Sequence, residues 1–152
     1  MSIPADSLGF LLADISRLMR RAYSQHLDTN QLTLAQSRVL VYLSRHQGLR
    51  QVELAELLEI QPITLTRQLE TLTTLGLIER QPDARDKRAY QWYLTPAATP
   101  QLAAISDSAE RIKQQALAGL SEQQAEQLTA SLRQVRDNLS SSCFPEASHE
   151  QS

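Results

Sequence analysis

A mainly α-helical fold carrying one small β-hairpin is the architecture this sequence predicts, and three observations predict it. Apolar residues recur at helical spacing through both ends of the chain. The stretch from Pro62 to Thr95 reads as a short helix, a glycine stop and two apolar strands around a turn. That turn packs Asp83, Arg85, Asp86, Lys87 and Arg88 into six residues.

The first helix is expected from about Ser7 to Leu27, because Leu8, Leu11, Ile15, Leu18 and Ala22 fall on one stripe. Thr33 and Gln36 stand at the spacing of a capping box and open a second helix, with Val39, Leu40 and Leu43 inward and Gly48 as its stop. A short third helix turns Leu54, Ala55 and Leu58 inward. Pro62 then takes the first-turn position that proline tolerates. The fourth helix buries Leu65, Leu69 and Leu72 and ends at Gly76. Strands are expected at 77–80 and 90–94.

Thr95-Pro96 reads as a cap followed by proline, opening a fifth helix striped by Leu102, Ile105, Ala109, Ile112 and Ala116. Pro100, so soon after Pro96, predicts an irregular or late start to it. After Gly119, Ser121 and Gln124 form a second capping box, and Ala125, Leu128, Leu132, Val135 and Leu139 repeat the stripe. Residues 141–152 read as a flexible tail. The terminal stripes need cover: they pair within the chain as a helical bundle, or interdigitate with a second copy. The dimer is preferred, since it also doubles the central unit.

A chain of 152 residues is most simply one domain, and 41% apolar with 21% charged residues is ordinary for a globular protein. No long apolar run and no cleavable leader is visible, so neither secretion nor a membrane span is expected. The single cysteine, Cys143, excludes an intrachain disulfide and fits a reducing cytoplasm. With no base or resolving thiol near it in sequence, Cys143 reads as incidental; an intermolecular disulfide or thiol-based redox sensing is the alternative. His26, His46 and His149 are scattered, with no paired carboxylates, phosphate loop or metal-ligand spacing. Neither an enzyme nor a cofactor is expected.

With the leucines of the fourth helix inward, Thr64, Arg67 and Thr71 share an exposed flank and Gln68 sits at its edge. Hydroxyl and guanidinium donors there suit phosphates and base edges, and arginine is the usual bidentate partner of guanine. A helix of that size fits the major groove of double-stranded DNA, and the cationic tip an adjacent minor groove or backbone. Asp83 and Asp86 are expected to hold one turn arginine rigid while the other projects. Ile63 points away from the leucine stripe. It packs on the preceding helix or meets a thymine methyl, packing being the first expectation.

The charge balance opposes this reading in part. Net charge is −2; residues 38–90 carry eight cations and seven anions, and residues 91–152 carry four and seven. DNA affinity would have to come from local arrangement and from doubling in a dimer. The competing reading is a protein-interaction module of the same fold with little DNA affinity.

From Glu53 to Thr95 the chain resembles the core of the MarR family of winged helix-turn-helix regulators. The resemblance rests on Thr64, Thr66 and Arg67 in the recognition helix, the G-L-I-x-R run from Gly76 to Arg80, the D-x-R-D-x-R run from Asp83 to Arg88, and Leu94-Thr95. It implies a DNA-binding lobe over residues 31–99, and a dimerisation region formed by residues 7–30 and 100–140. It also implies a homodimer reading a palindromic operator, with Thr64, Thr66, Arg67 and Gln68 in the major groove, Arg85 in the minor groove, and Lys87 and Arg88 on or near the backbone. Repression relieved by a small aromatic or lipophilic effector follows from the same resemblance. One departure is that Arg50-Gln51 stands where a Ser or Thr cap usually opens the helix before the recognition helix. Arg50 is therefore a candidate for a phosphate contact.

Overall fold

The computed structural model describes residues 4, 6–27 and 32–142. In chain order the elements are α1 (Leu8–Leu27), α2 (Leu34–Arg45), β1 (Leu49–Arg50), α3 (Gln51–Leu58), α4 (Pro62–Thr74), β2 (Ile78–Pro82), β3 (Tyr90–Leu94), α5 (Ala98–Ala116) and α6 (Glu122–Ser142). The chain divides into two compact units, Met1–Lys113 and Gln114–Ser152.

The first unit is organised around leucine. Leu40 and Leu43 of α2, Leu54 and Leu58 of α3, and Leu65, Leu69 and Leu72 of α4 are buried together. Ile78 of β2, Trp92 of β3 and Ile105 of α5 complete the same cluster. Burying a leucine side chain contributes roughly 1.5–3 kcal/mol, so this shared core fixes the angles between the short helices more firmly than their own propensities could.

Local chemistry sets most helix starts. The N–H of Gln36 donates to Thr33 Oγ1 at 3.2 Å and the N–H of Thr33 donates to Gln36 Oε1 at 3.0 Å, which is the expected capping box. α4 begins at Pro62, whose missing N–H would have had no intrahelical partner. The turn between α3 and α4 needs a left-handed residue, and Glu59 supplies it at φ 53°. The N–H of Ile60 then reaches the Ala55 carbonyl at 3.2 Å.

The sheet has three antiparallel strands in the order β1-β3-β2. Ile78 pairs with Leu94, Arg80 with Trp92 and Pro82 with Tyr90. The second strand of the hairpin lies where the sequence predicts it, whereas the first starts one residue later and runs two further than expected. The two-residue β1 is absent from the sequence reading. It is defined by pairing Leu49 with Trp92 and Arg50 with Gln91, not by any local pattern.

Gly48, just before β1, has φ +85°, and its N–H donates to the Trp92 carbonyl at 2.9 Å. A Cβ built there would lie 3.0 Å from Tyr93 Oη. Gly48→Ala is therefore expected to destabilise the protein by about 1–2 kcal/mol through left-handed strain alone. Urea unfolding should show a lower midpoint at unchanged slope.

At α5 the structure corrects the expected cap. Thr95 is not the helix cap; its hydroxyl donates to the Gly76 carbonyl, and its N–H donates to the Leu77 carbonyl at 3.0 Å. Thr95 thus ties the end of β3 to the start of β2. The start of α5 is late relative to Pro96, as expected: residues 96 and 97 form a turn and the helix opens at Ala98, with Pro100 as its third residue, where no i−4 partner is lost.

The second unit is dominated by α6. The N–H of Gln124 donates to Ser121 Oγ at 3.2 Å and the N–H of Ser121 donates to Gln124 Oε1 at 2.9 Å, so the second capping box forms. No side chain from Glu122 to Ser140 is fully buried, and Leu128 and Leu132 are 42% and 39% exposed. The stripe on α1 is equally open, with Leu8 at 60% and Leu18 at 50%. Cys143 and the rest of the expected tail beyond Ser142 lie outside the described residues.

Candidate nucleic-acid interface

Two elements carry the residues singled out in the sequence. On α4, burial of Leu65, Leu69 and Leu72 turns Thr64, Arg67 and Thr71 outward, all exposed, with Gln68 half-buried at the edge. The Thr71 hydroxyl donates to the Arg67 carbonyl at 3.0 Å. Thr66 is half-buried and locally engaged: its hydroxyl donates to the Pro62 carbonyl at 3.0 Å and accepts from Gln51 Nε2 at 2.7 Å. That side-chain bridge fastens the first turn of α3 to the second turn of α4. Ile63 is 67% exposed, so the expected packing on the preceding helix does not occur.

The charged turn between β2 and β3 is a structured tip. The N–H of Arg85 donates to Asp83 Oδ1 at 2.8 Å, and the N–H of Arg88 donates to Asp86 Oδ1 at 3.0 Å. The N–H of Asp83 donates to the Ala89 carbonyl at 3.0 Å and closes its base. Arg85, Lys87 and Arg88 remain exposed around this backbone scaffold. Lower on the hairpin, the Arg80 guanidinium sits 4.4 Å from the centre of the Tyr90 ring.

The aspartates do not hold a turn arginine by its side chain, as the sequence suggested. Asp83 pairs instead with Arg50, whose Nε and Nη2 both donate to Oδ2, at 2.9 and 2.7 Å. The Arg85 N–H and then the Arg50 guanidinium hold the Asp83 carboxyl below the usual carboxylate range. Asp83 in turn raises the Arg50 pKa, chiefly through their hydrogen bonds. Since the folded carboxyl is the depressed one, this tie is complete above about pH 4 and is lost only as pH falls through the depressed value.

Arg50 also precedes α3, where its side chain cannot accept a hydrogen bond from the helix. Glu53 Oε2 accepts from the Arg50 N–H at 2.8 Å, which supplies half of a capping box. Neither the Arg50–Asp83 pair nor the Gln51–Thr66 bridge was visible in the sequence, because the partners stand 33 and 15 residues apart and meet only through the fold. The odd residue at the cap position was the one available signal.

A cavity in the first unit, of about 480 Å³, lies between α1, α2 and α5. Tyr23, Ser37, Arg38, Tyr42, Arg45 and Ile105 are among its lining residues. The Tyr23 hydroxyl donates to the Ile105 carbonyl at 2.9 Å, and Arg38 stacks 5.9 Å from the centre of the Tyr42 ring. Ser37 Oγ is buried there with no hydrogen-bond partner.

These features have close counterparts. A family model described as the MarR family matches residues 30–89. A crystal structure of a probable transcriptional regulator from Pseudomonas aeruginosa is 32% identical, with 86% of this chain and 97% of that chain covered and a TM-score of 0.71. The chain belongs to the MarR family. Wild-type MarR from E. coli in its apo form is 26% identical over 89% of this chain and 98% of that one, with a TM-score of 0.79. The S. aureus MepR–DNA complex is 29% identical over 87% and 98%, with a TM-score of 0.72. The mainly helical architecture with a small antiparallel sheet is therefore the MarR-family winged helix-turn-helix, with α3 and α4 as its helix pair and the β2–β3 hairpin as its wing. The family is one of transcriptional regulators rather than enzymes. No helix among the described residues is long and apolar enough to cross a membrane.

Proposed function

We propose that this chain is a homodimeric regulator that binds a palindromic double-stranded DNA operator and represses transcription until a small aromatic or lipophilic effector is bound. One juxtaposition carries the reading: an exposed polar flank on α4 beside a cationic wing tip held rigid by its own aspartates. A purely structural bundle needs neither. MepR, a relative seen with DNA, has the same fold, which supports a similar use here.

In this reading residues 31–99 are the DNA-binding lobe. Arg67 reads a guanine edge, Thr64 and Gln68 contact neighbouring bases or phosphates, and Ile63 meets a thymine methyl. Thr66 lies on the same helix, and its hydroxyl also holds α4 against α3. Arg85 enters the minor groove while Lys87 and Arg88 meet the backbone. Residues 7–30 and 100–140 form the dimerisation region, whose open leucines on α1 and α6 are covered by the second copy. Two winged units then offset the net charge of −2 by concentrating cations at the contacts.

The effector site is the cavity between α1, α2 and α5. Its aromatic and aliphatic walls suit a small lipophilic ring.

Fluorescence anisotropy on a duplex from upstream of the gene, against an unrelated duplex of equal length near physiological salt, tests the reading. A preference of ~10³-fold or more is expected, with one dimer per site. Equal, weak binding to that duplex and to a pool of random duplexes would instead point to a winged helix turned to protein interaction.

A further inference from the structure

We propose that Arg50 is a positioning residue which clamps the wing to the helix-turn-helix, fixing the direction of Arg85 relative to α4. The inference rests on the DNA-binding reading above for its consequence, but not for its geometry.

The geometry is a knot centred on Asp83. Its side chain is only 6% exposed, and both carboxylate oxygens are used. Oδ1 accepts the Arg85 backbone N–H at the wing tip. Oδ2 accepts Nε and Nη2 of Arg50, 33 residues earlier, at the mouth of α3. A carboxylate so buried requires a charged partner, and Arg50 is the cation that meets it.

Position 50 also gives up something for this. It precedes the first residue of α3, where Ser, Thr, Asp or Asn would cap the helix with a side-chain oxygen. Arginine cannot, and leaves the capping to Glu53 alone. The guanidinium is thus directed away from the helix it precedes and toward the hairpin.

The other hairpin supports do not replace it. The backbone pairing of β2 with β3 sets the hairpin itself, and Leu49 and Arg50 pair with β3 along β1. Neither set reaches the tip, where Asp83, Arg85 and Arg88 lie beyond the last paired residues, Pro82 and Tyr90. Of the side-chain contacts described at the tip, the Arg50–Asp83 pair is the one that crosses to another element. The guanidinium is itself partly open, its side chain 43% exposed. A direct phosphate contact by Arg50 is therefore the rival that an experiment has to separate.

The test uses the full-length chain and the variants Arg50→Met, Arg50→Lys and Asp83→Asn. Without DNA, amide hydrogen exchange at Arg85, Arg88 and Ala89 should speed up in Arg50→Met and in Asp83→Asn, while α4 amides stay protected. On the upstream duplex, Arg50→Met should lose about tenfold in affinity, with a much smaller loss on unrelated DNA and an unchanged salt slope. The double variant Arg50→Met/Asp83→Asn should bind no worse than the weaker single variant, and Arg50→Lys should recover part of the loss. A salt slope reduced by about one, with equal losses on both duplexes, would overturn the clamp in favour of a phosphate contact. Unmoved exchange at the tip would also overturn it, leaving a surface pair of little consequence. If the unsubstituted protein shows no duplex preference, the DNA-binding reading fails, and the exchange measurement alone still decides the clamp.

Discussion

Removing the residues before Leu12 is expected to convert the protein to monomers that bind the operator at least ~10²-fold more weakly. The truncation takes away Leu8, Phe10 and Leu11, each large, apolar and exposed on α1. Each is about half exposed, so covering it with a second copy would contribute roughly 1 kcal/mol, twice over in a symmetric dimer. Even after the cost of association, a loss of that size separates a stable dimer from a transient one. The DNA effect follows from geometry: two linked winged units meet adjacent half-sites as one ligand, whereas a monomer engages only one. Sedimentation equilibrium reads the first effect and anisotropy the second. An intact dimer after truncation would remove the start of α1 from the interface. Leu132→Asp on α6 gives an independent check, because it adds a charge at an exposed leucine without touching the leucine core of the first unit.

The features legible in advance are those written by neighbours in sequence. Leu65, Leu69 and Leu72 state the inner face of α4 by spacing alone, and Thr33 with Gln36 states a helix start through groups three residues apart. The charged turn was equally plain, since charged side chains crowded between two apolar strands favour a solvated tip, and Arg85, Asp86, Lys87 and Arg88 are exposed there. What escaped notice joins distant residues. β1 is two residues long and exists because Leu49 lies beside Trp92, which no window around Leu49 can reveal. Thr95 looked like a cap because threonine before proline usually is one; the Gly76 carbonyl, brought close by the hairpin, competed for its hydroxyl and won. Asp83 is the sharpest case. Charge alternation suggested a pair within the turn, yet the turn's arginines engage the aspartates through backbone N–H groups, which frees Asp83 Oδ2 for Arg50. Ile63 failed in the opposite sense: its apolarity promised packing, and the fold leaves it in the open beside the polar flank of α4.

Arg67→Ala and Arg85→Ala are expected to weaken operator binding in ways that differ in kind. Arg67 projects from the exposed flank of α4, and a bidentate contact to guanine discriminates against other bases by about 1–3 kcal/mol. Its removal should therefore cost about 5–150-fold on the operator and relax the preference at one base pair in each half-site. Arg85 stands at a tip whose backbone is pinned by Asp83, so it reaches its groove without losing much freedom. Its removal should cost several-fold or more, with the base preference set by α4 left in place and dimerisation unaltered. Competition against a set of singly substituted operators distinguishes the two, since only the Arg67 variant should change the rank order of sites. Unchanged affinity in Arg85→Ala would sink the role of the wing while leaving the recognition helix standing. An unaltered rank order in Arg67→Ala would move base reading elsewhere on the exposed flank, to Thr64, Gln68 or Ile63, whose side chains border the same surface.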